Sequence, residues 1–321
     1  MSTGAQAVVD AGGAELTRIM DRVEDRMTEL ASGHGPVLTR HAGATISAGG
    51  KRLRPLLVCL AAGTPPPETD GLVRAAVAVE LVHGATLVHD DVLDGSALRR
   101  GRPTVLATGG RAAATATGDL LFSRAFAELA HGGSIADVRV LARASRELAL
   151  GELTQREDAY RMDVSVSRYL TRCRLKTAVL FRAACELGAL QSGGAPDALG
   201  VFGERIGLAF QILDDVLDVS GPPERTGKPR GADLLDGTVT LPLILARVRD
   251  PSLAELDLRA VRTAEDAAGV CDRIEATGAL EDGRCRGAQL VAEAKAGLPA
   301  LPLRQREALE LAADVMVERY A

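Results

Sequence analysis

At 321 residues the chain is long enough for one large domain or two average ones, and no shift in composition marks a cut, so a single domain spanning 1–321 is expected. A net charge of -5 excludes a general nucleic-acid surface, which would need a basic field to neutralise phosphates. With 46% hydrophobic residues but only five Phe, three Tyr and no Trp, the core must be aliphatic. Ala, Leu, Glu and Arg outweigh β-branched and aromatic residues, which predicts an all-α fold. Five cysteines are an odd number with no CxxC spacing, so neither a disulfide framework nor a zinc site is indicated, and a reducing cytoplasm fits. Apolar stretches such as 56–62 fall far short of a bilayer span, and residues 1–10 lack the basic start of a secretory leader, so no membrane span is expected.

Along the chain, turn-forming clusters at 64–71, 95–110, 131–134, 191–196, 220–237 and 297–302 separate helix-sized segments. The first feature of interest is Gly49-Gly50-Lys51-Arg52-Leu53-Arg54-Pro55, a basic cluster whose glycines let backbone approach phosphate and whose Arg can bind oxygens bidentately. Segment 72–93 is proline-free, rich in Ala, Val and Leu, and followed by Gly95; it reads as one mostly buried helix. Its last turns carry Asp90, Asp91 and Asp94, and a basic loop follows, Arg99-Arg100-Gly101-Arg102-Pro103. Segment 202–219 repeats the device: Asp214, Asp215 and Asp218 near the end of an apolar helix, then Arg225-Thr226-Gly227-Lys228-Pro229. Only four lysines occur, Lys51, Lys176, Lys228 and Lys295, so the placement of two of them in these basic clusters is informative.

A helix advances about 100° per residue, so positions i, i+1 and i+4 share a face. Three ionised carboxylates at that spacing repel one another, and at the end of an apolar helix the repulsion is poorly screened. A divalent cation relieves it. Oxygen-only donors point to Mg²⁺ rather than zinc, and neither copy continues into the spacing of an EF-hand calcium loop.

From Gly49 to Pro242 the sequence resembles the trans-isoprenyl diphosphate synthases, also called polyprenyl synthetases. The likeness rests on GGKRLRP (Gly49), ELVHGATLVHDDVLD (Glu80), LRRGRPT (Leu98), GDLLFSRA (Gly118), KTA (Lys176), FQILDDVLD (Phe210) and GKPRGADL (Gly227), in matching order and spacing. It implies a single large helical bundle of the isoprenoid synthase type around a central cavity, and a homodimer. The implied reaction condenses an allylic diphosphate with isopentenyl diphosphate. By the same resemblance Lys51, Arg54, His83 and Arg100 hold isopentenyl diphosphate, while Arg99, Lys176, Thr177, Gln211 and Lys228 hold the allylic diphosphate. Mg²⁺ on Asp90, Asp91, Asp94, Asp214, Asp215 and Asp218 stabilises the departing pyrophosphate, with Arg99, Lys176 and Lys228 sharing its charge. No dedicated base is evident in the sequence, and the family's usual proton acceptor is the released pyrophosphate. Asp119 and Arg124 also fall in a family signature; His89 has no such support and is read as structural.

Shorter-chain enzymes of that family place an aromatic at the fourth or fifth residue before the first aspartate, or insert two residues in the motif. This chain has Thr86 and Ala85 there and no insertion. Helical geometry puts Thr86, Val82 and Val79 on the flank of the aspartate face, while Ala85 is included by resemblance alone. A polyprenyl product longer than geranylgeranyl is expected; an aromatic from another helix, such as Phe122 or Phe126, would shorten it to geranylgeranyl or farnesyl length. The competing readings are a class I terpene cyclase, which uses an Asn-Ser-Glu metal triad where this chain has no Asn, and a non-catalytic subunit of a heteromeric prenyltransferase, which would have no need of two intact acid clusters.

Overall fold

The computed structural model describes residues 3–32, 35–47, 50, 52–99, 101–132, 134–221 and 230–318, and they are almost entirely helical. In chain order come α1 (Thr3–Leu30), α2 (Gly35–Ser47), α3 (Leu53–Ala62), α4 (Asp70–Asp94), a hairpin of β1 (Leu98–Arg99) and β2 (Arg102–Pro103), α5 (Val105–His131), α6 (Ile135–Asp158) and α7 (Val166–Cys173). A π-helical turn (Arg174–Ala178) then leads into α8 (Val179–Ser192) and α9 (Pro196–Ser220), and the longer helices beyond are Leu241–Arg249, Ala264–Ala276, Ala279–Ala296 and Leu303–Glu318. Two compact units are present: unit 1 comprises Met1–Ser145, Leu180–Gly203 and Gly297–Met316, and unit 2 comprises Arg146–Val179, Glu204–Ala296 and Val317–Ala321. The chain passes between them inside α6, α9 and Leu303–Glu318, at the start of α8, and once at a turn, after Ala296, so no single linker or change of composition separates them in sequence.

Unit 1 is organised on α4. The Thr69 side chain accepts from the Leu72 amide and caps its start; Gly95, left-handed at φ 66°, ends it by returning its amide to the Asp91 carbonyl. Apolar residues surround α4 rather than forming one stripe, and from Leu72 to Val82 every side chain except that of Arg74 is buried. Along it pack α1, α3 and α5, contributing fully buried Leu16, Ile19, Leu56, Leu57 and Leu60. Each such leucine is worth roughly 1.5–3 kcal/mol of burial. By length and composition α4 could cross a membrane, but most of it is buried inside the protein. It is a core helix.

The charge buried in this helix is compensated. Glu80 is 8% exposed and lies 3.0 Å from Arg52, whose guanidinium also meets Glu24 at 2.5 Å and donates to the Ile46 carbonyl at 2.9 Å.

Unit 2 is built around the C-terminal part of α9. Leu213 and Leu217 pack with Phe210 and Val317. The helix Ala279–Ala296 approaches so closely that a methyl on Gly283 or Gly287 would sit 2.6 Å from Val216 or 2.8 Å from Leu213. Asp158, 1% exposed, is held by Arg168 and Arg172.

Replacing Arg52 with Met strands Glu80 in the core and is expected to lower the unfolding free energy by about 3 kcal/mol or more, measured by urea denaturation. Adding Glu80→Gln to that variant should restore part of the loss; a double variant no more stable than Arg52→Met would show that the pair is not the cause.

Candidate functional site

In unit 1 the acids sit where α4 leaves the core. Asp90 is half-buried, Asp91 is 5% exposed and Asp94 is exposed. The hairpin that follows is fastened by the Thr104 hydroxyl donating to the Ser96 carbonyl at 2.7 Å, and it brings Arg99 back to Asp91, with Nε and Nη2 each 2.8 Å from Oδ1. The buried acid therefore carries its own counter-charge. His83, two turns before Asp90, is half-buried, and its carbonyl accepts from the Thr86 hydroxyl at 2.8 Å. His89 stacks on Phe122 of α5 at 5.9 Å and lies 3.4 Å from exposed Asp119. Of the residues expected to form a chain-length wall, Val79, Val82 and Ala85 are fully buried and Thr86 half-buried.

The two arginines of the first basic cluster divide in role. Arg52 turns inward to Glu80, whereas the Arg54 guanidinium lies 4.6 Å over the ring of Phe181. Lys51, Arg100 and Lys228 lie outside the described residues.

In unit 2 Asp214 is exposed, Asp215 is 4% exposed and Asp218 is half-buried. Both oxygens of Asp215 are engaged: the Tyr169 hydroxyl donates to Oδ2 at 2.6 Å, and Gln211 Nε2 donates to Oδ1 at 2.7 Å. Gln211 in turn accepts from the Thr177 hydroxyl at 2.6 Å. Burial pushes the Asp215 carboxyl up to about 7, assisted by the neighbouring Asp214 charge and opposed by the two hydrogen bonds and Arg172. Asp218 Oδ2 accepts from the Asp233 amide at 3.2 Å. One residue before Thr177, Lys176 places its ammonium 2.7 Å from Glu152 Oε2, while Arg156 holds Oε1 of the same carboxylate at 2.7 Å. Burial would raise the Glu152 carboxyl, but the two cations outweigh it and hold it below its ordinary range.

Among the described residues no three His, Cys, Asp or Glu side chains converge closely enough to cage a metal. The donors nearest solvent, Asp90 and Asp94 in one unit and Asp214 and Asp218 in the other, are all carboxylates. This set fits a hard cation that accepts few protein oxygens and completes its shell with water and phosphate, as Mg²⁺ does, and not one that requires a full protein cage. A cavity of about 190 Å³ in unit 1, lined by Gly71, Arg74, Glu128, Asp137 and Gln191, lies near the start of α4 and includes none of the expected site residues.

Sequence reasoning missed Tyr169, Glu152 and Phe181. Tyr169 meets an acid 46 positions away and Glu152 a lysine 24 positions away, so no local spacing carries a signal for either.

The sequence matches the polyprenyl synthetase family over residues 36–274. It is 42% identical to component 2 of heptaprenyl diphosphate synthase from Geobacillus stearothermophilus, across 81% of this chain and 84% of that protein. It is 36% identical to octaprenyl diphosphate synthase from Escherichia coli, across 85% and 87% respectively. Among solved structures it resembles a polyprenyl synthase from Caulobacter crescentus complexed with calcium and isoprenyl diphosphate, with a TM-score of 0.90, 38% identity, and coverage of 99% of this chain and 98% of that one.

The raised Asp215 carboxyl has a thermodynamic consequence in the metal-free protein. Between the ordinary value of about 4 and the folded value of about 7, the folded state holds a proton that the unfolded state has released, so rising pH removes stability across that window. Relative to Asp215→Asn, which cannot ionise, the wild-type protein should lose stability progressively from about pH 4 to about 7 and level off above. Parallel thermal melts of the two proteins across that range test this; a constant difference between them would refute it.

Proposed function

The chain belongs to the polyprenyl synthetase family and is a prenyltransferase that joins an allylic diphosphate to isopentenyl diphosphate, and we propose that its product is a polyprenyl diphosphate longer than geranylgeranyl. The observation that carries this is the make-up of α4 before Asp90: Val79, Val82 and Ala85 are buried and small or medium in size, and half-buried Thr86 stands where an aromatic would close the wall. Phe122, one aromatic that could block growth, is stacked on His89 beside the acids rather than lower along α4. Relatives named for heptaprenyl and octaprenyl products agree with this reading.

In the proposed division of labour, Arg54 and His83, with Lys51 and Arg100, hold isopentenyl diphosphate. The face of Phe181 fixes the plane of the Arg54 guanidinium before any ligand arrives, which reduces the ordering cost of binding. Arg99, Lys176, Thr177, Gln211 and Lys228 hold the allylic diphosphate. Asp90, Asp94, Asp214 and Asp218 would ligate Mg²⁺, with Asp91 and Asp215 behind them as the buried members of each cluster. When bound, the metal supplies charge stabilisation to the leaving diphosphate. Arg99 offers five donors in a fixed fork, so it can keep Asp91 while turning its remaining N–H groups to phosphate. The apolar side chains of α4 exclude water, which would otherwise quench an allylic cation. Assembly as a homodimer and action in the cytoplasm belong to the same proposal and rest on resemblance and composition.

A second reading has one observation in its favour: a relative 42% identical is named as component 2 of its enzyme. Under it this chain would turn over only with a second, different polypeptide.

Purified chain incubated with Mg²⁺, isopentenyl diphosphate and farnesyl diphosphate is expected to yield products beyond four isoprene units, sized by chromatography after removal of the diphosphate. Ala85→Phe or Thr86→Phe should shift the product toward geranylgeranyl or farnesyl length. Wild-type product that already stops at geranylgeranyl length would end the open-wall reading, and an inactive purified chain rescued by a second polypeptide would favour the component reading.

A further inference from the structure

The turn that carries Lys176 is irregular. Residues Arg174–Ala178 form a π-helical turn, a widened loop of backbone that arises where a helix has to present adjacent residues in directions an α-helix does not allow. Its two central polar residues diverge: Thr177 reaches Gln211 and, through it, Asp215, while Lys176 reaches Glu152. The turn is seated against α6 at Gly151, where an added methyl would lie 2.7 Å from the Lys176 amide nitrogen and 2.8 Å from the Leu175 carbonyl carbon. Any other residue at 151 would push the turn away. Glu152 is the next residue on α6. Its side chain is 18% exposed, and its two oxygens are divided between Lys176 at 2.7 Å and Arg156, one helical turn further, also at 2.7 Å.

From this arrangement we infer that Glu152 is a positioning residue for the reaction: held by Arg156 on one oxygen, it fixes the Lys176 ammonium with the other, so that lysine meets the allylic diphosphate already ordered. This rests on the reading of Lys176 as a diphosphate ligand. A free lysine loses up to about 2 kcal/mol of rotamer entropy when pinned, and most of that loss is met during folding if a partner holds it beforehand. An ammonium has three donors, so one hydrogen bond to Glu152 leaves two for phosphate oxygens. Two cations around one carboxylate also leave the group net positive, so the diphosphate is still attracted. The opposite reading, that Glu152 competes with diphosphate for the lysine, predicts the opposite sign on removal.

The test measures inorganic pyrophosphate binding to the full chain by calorimetry with Mg²⁺ present, together with kcat and the KM for each substrate. Lys176→Ala is expected to weaken pyrophosphate binding by about thirtyfold and Glu152→Ala by about tenfold. Glu152→Gln, which keeps an acceptor for the ammonium, should recover part of the affinity. The double variant Glu152→Ala with Lys176→Ala should bind no more weakly than Lys176→Ala alone, because Glu152 acts through the lysine. The KM for isopentenyl diphosphate should stay within about twofold in Glu152→Ala. Unchanged or tighter pyrophosphate binding in Glu152→Ala would overturn the inference, as would additive losses in the double variant. If Lys176→Ala itself binds normally, the reading of Lys176 falls and this inference falls with it; if only Glu152→Ala binds normally, the lysine reading stands and the positioning role alone is lost.

Discussion

A carboxylate at the end of an apolar helix must find positive charge or hydrogen-bond donors, and both acidic helix ends of this chain are shaped by that demand. Asp91 and Asp215 are each 5% exposed or less, where an uncompensated charge costs several kcal/mol. Asp91 meets the cost with Arg99, returned to it by a hairpin fastened at Thr104. Asp215 meets it with two neutral donors, Tyr169 and Gln211, and by holding its proton more tightly. Outside each buried acid stand its more exposed partners, Asp94 in one unit and Asp214 in the other, with half-buried Asp90 and Asp218. The buried acid anchors the end of the helix, and the outer ones remain nearer solvent, where a hydrated cation and a phosphate can reach them.

The same economy governs the basic residues. Arg54 lies on Phe181, Arg99 on Asp91 and Lys176 on Glu152, so each described cation expected to meet a diphosphate is ordered in the protein without ligand. Long cationic side chains lose much conformational freedom on binding, and contacts of this kind shift that loss to the folding step.

Much of this was legible in the sequence because it is local. The spacing of Asp90, Asp91 and Asp94 fixes a shared helix face, Gly95 marks the stop of α4, and the apolar run before them announces burial; helix 72–93 was expected and Asp70–Asp94 is found. The helix expected over 202–219 likewise falls within Pro196–Ser220. What the sequence hid is non-local. Asp91 differs from Asp90 in burial through the packing around α4, and nothing in DDxxD distinguishes them. Arg52 and Arg54 look equivalent in GGKRLRP, yet Glu24 and Glu80, each 28 positions from Arg52, draw it into the core. The division into two units was also invisible, since the chain crosses between them five times and mostly within helices.

Metal held by both carboxylate clusters is proposed to be required for turnover, and the most direct measurement is the Mg²⁺ dependence of the condensation rate in wild type, Asp90→Ala and Asp214→Ala, each checked for unchanged helical content by circular dichroism. Asp90 and Asp214 are the right positions because neither is the buried member of its cluster, so their loss should leave the fold intact. The expected result is no turnover without metal and a fall of about a hundredfold or more at saturating Mg²⁺ in each variant. Turnover that survives complete chelation, or near-normal rates in either variant, would contradict it.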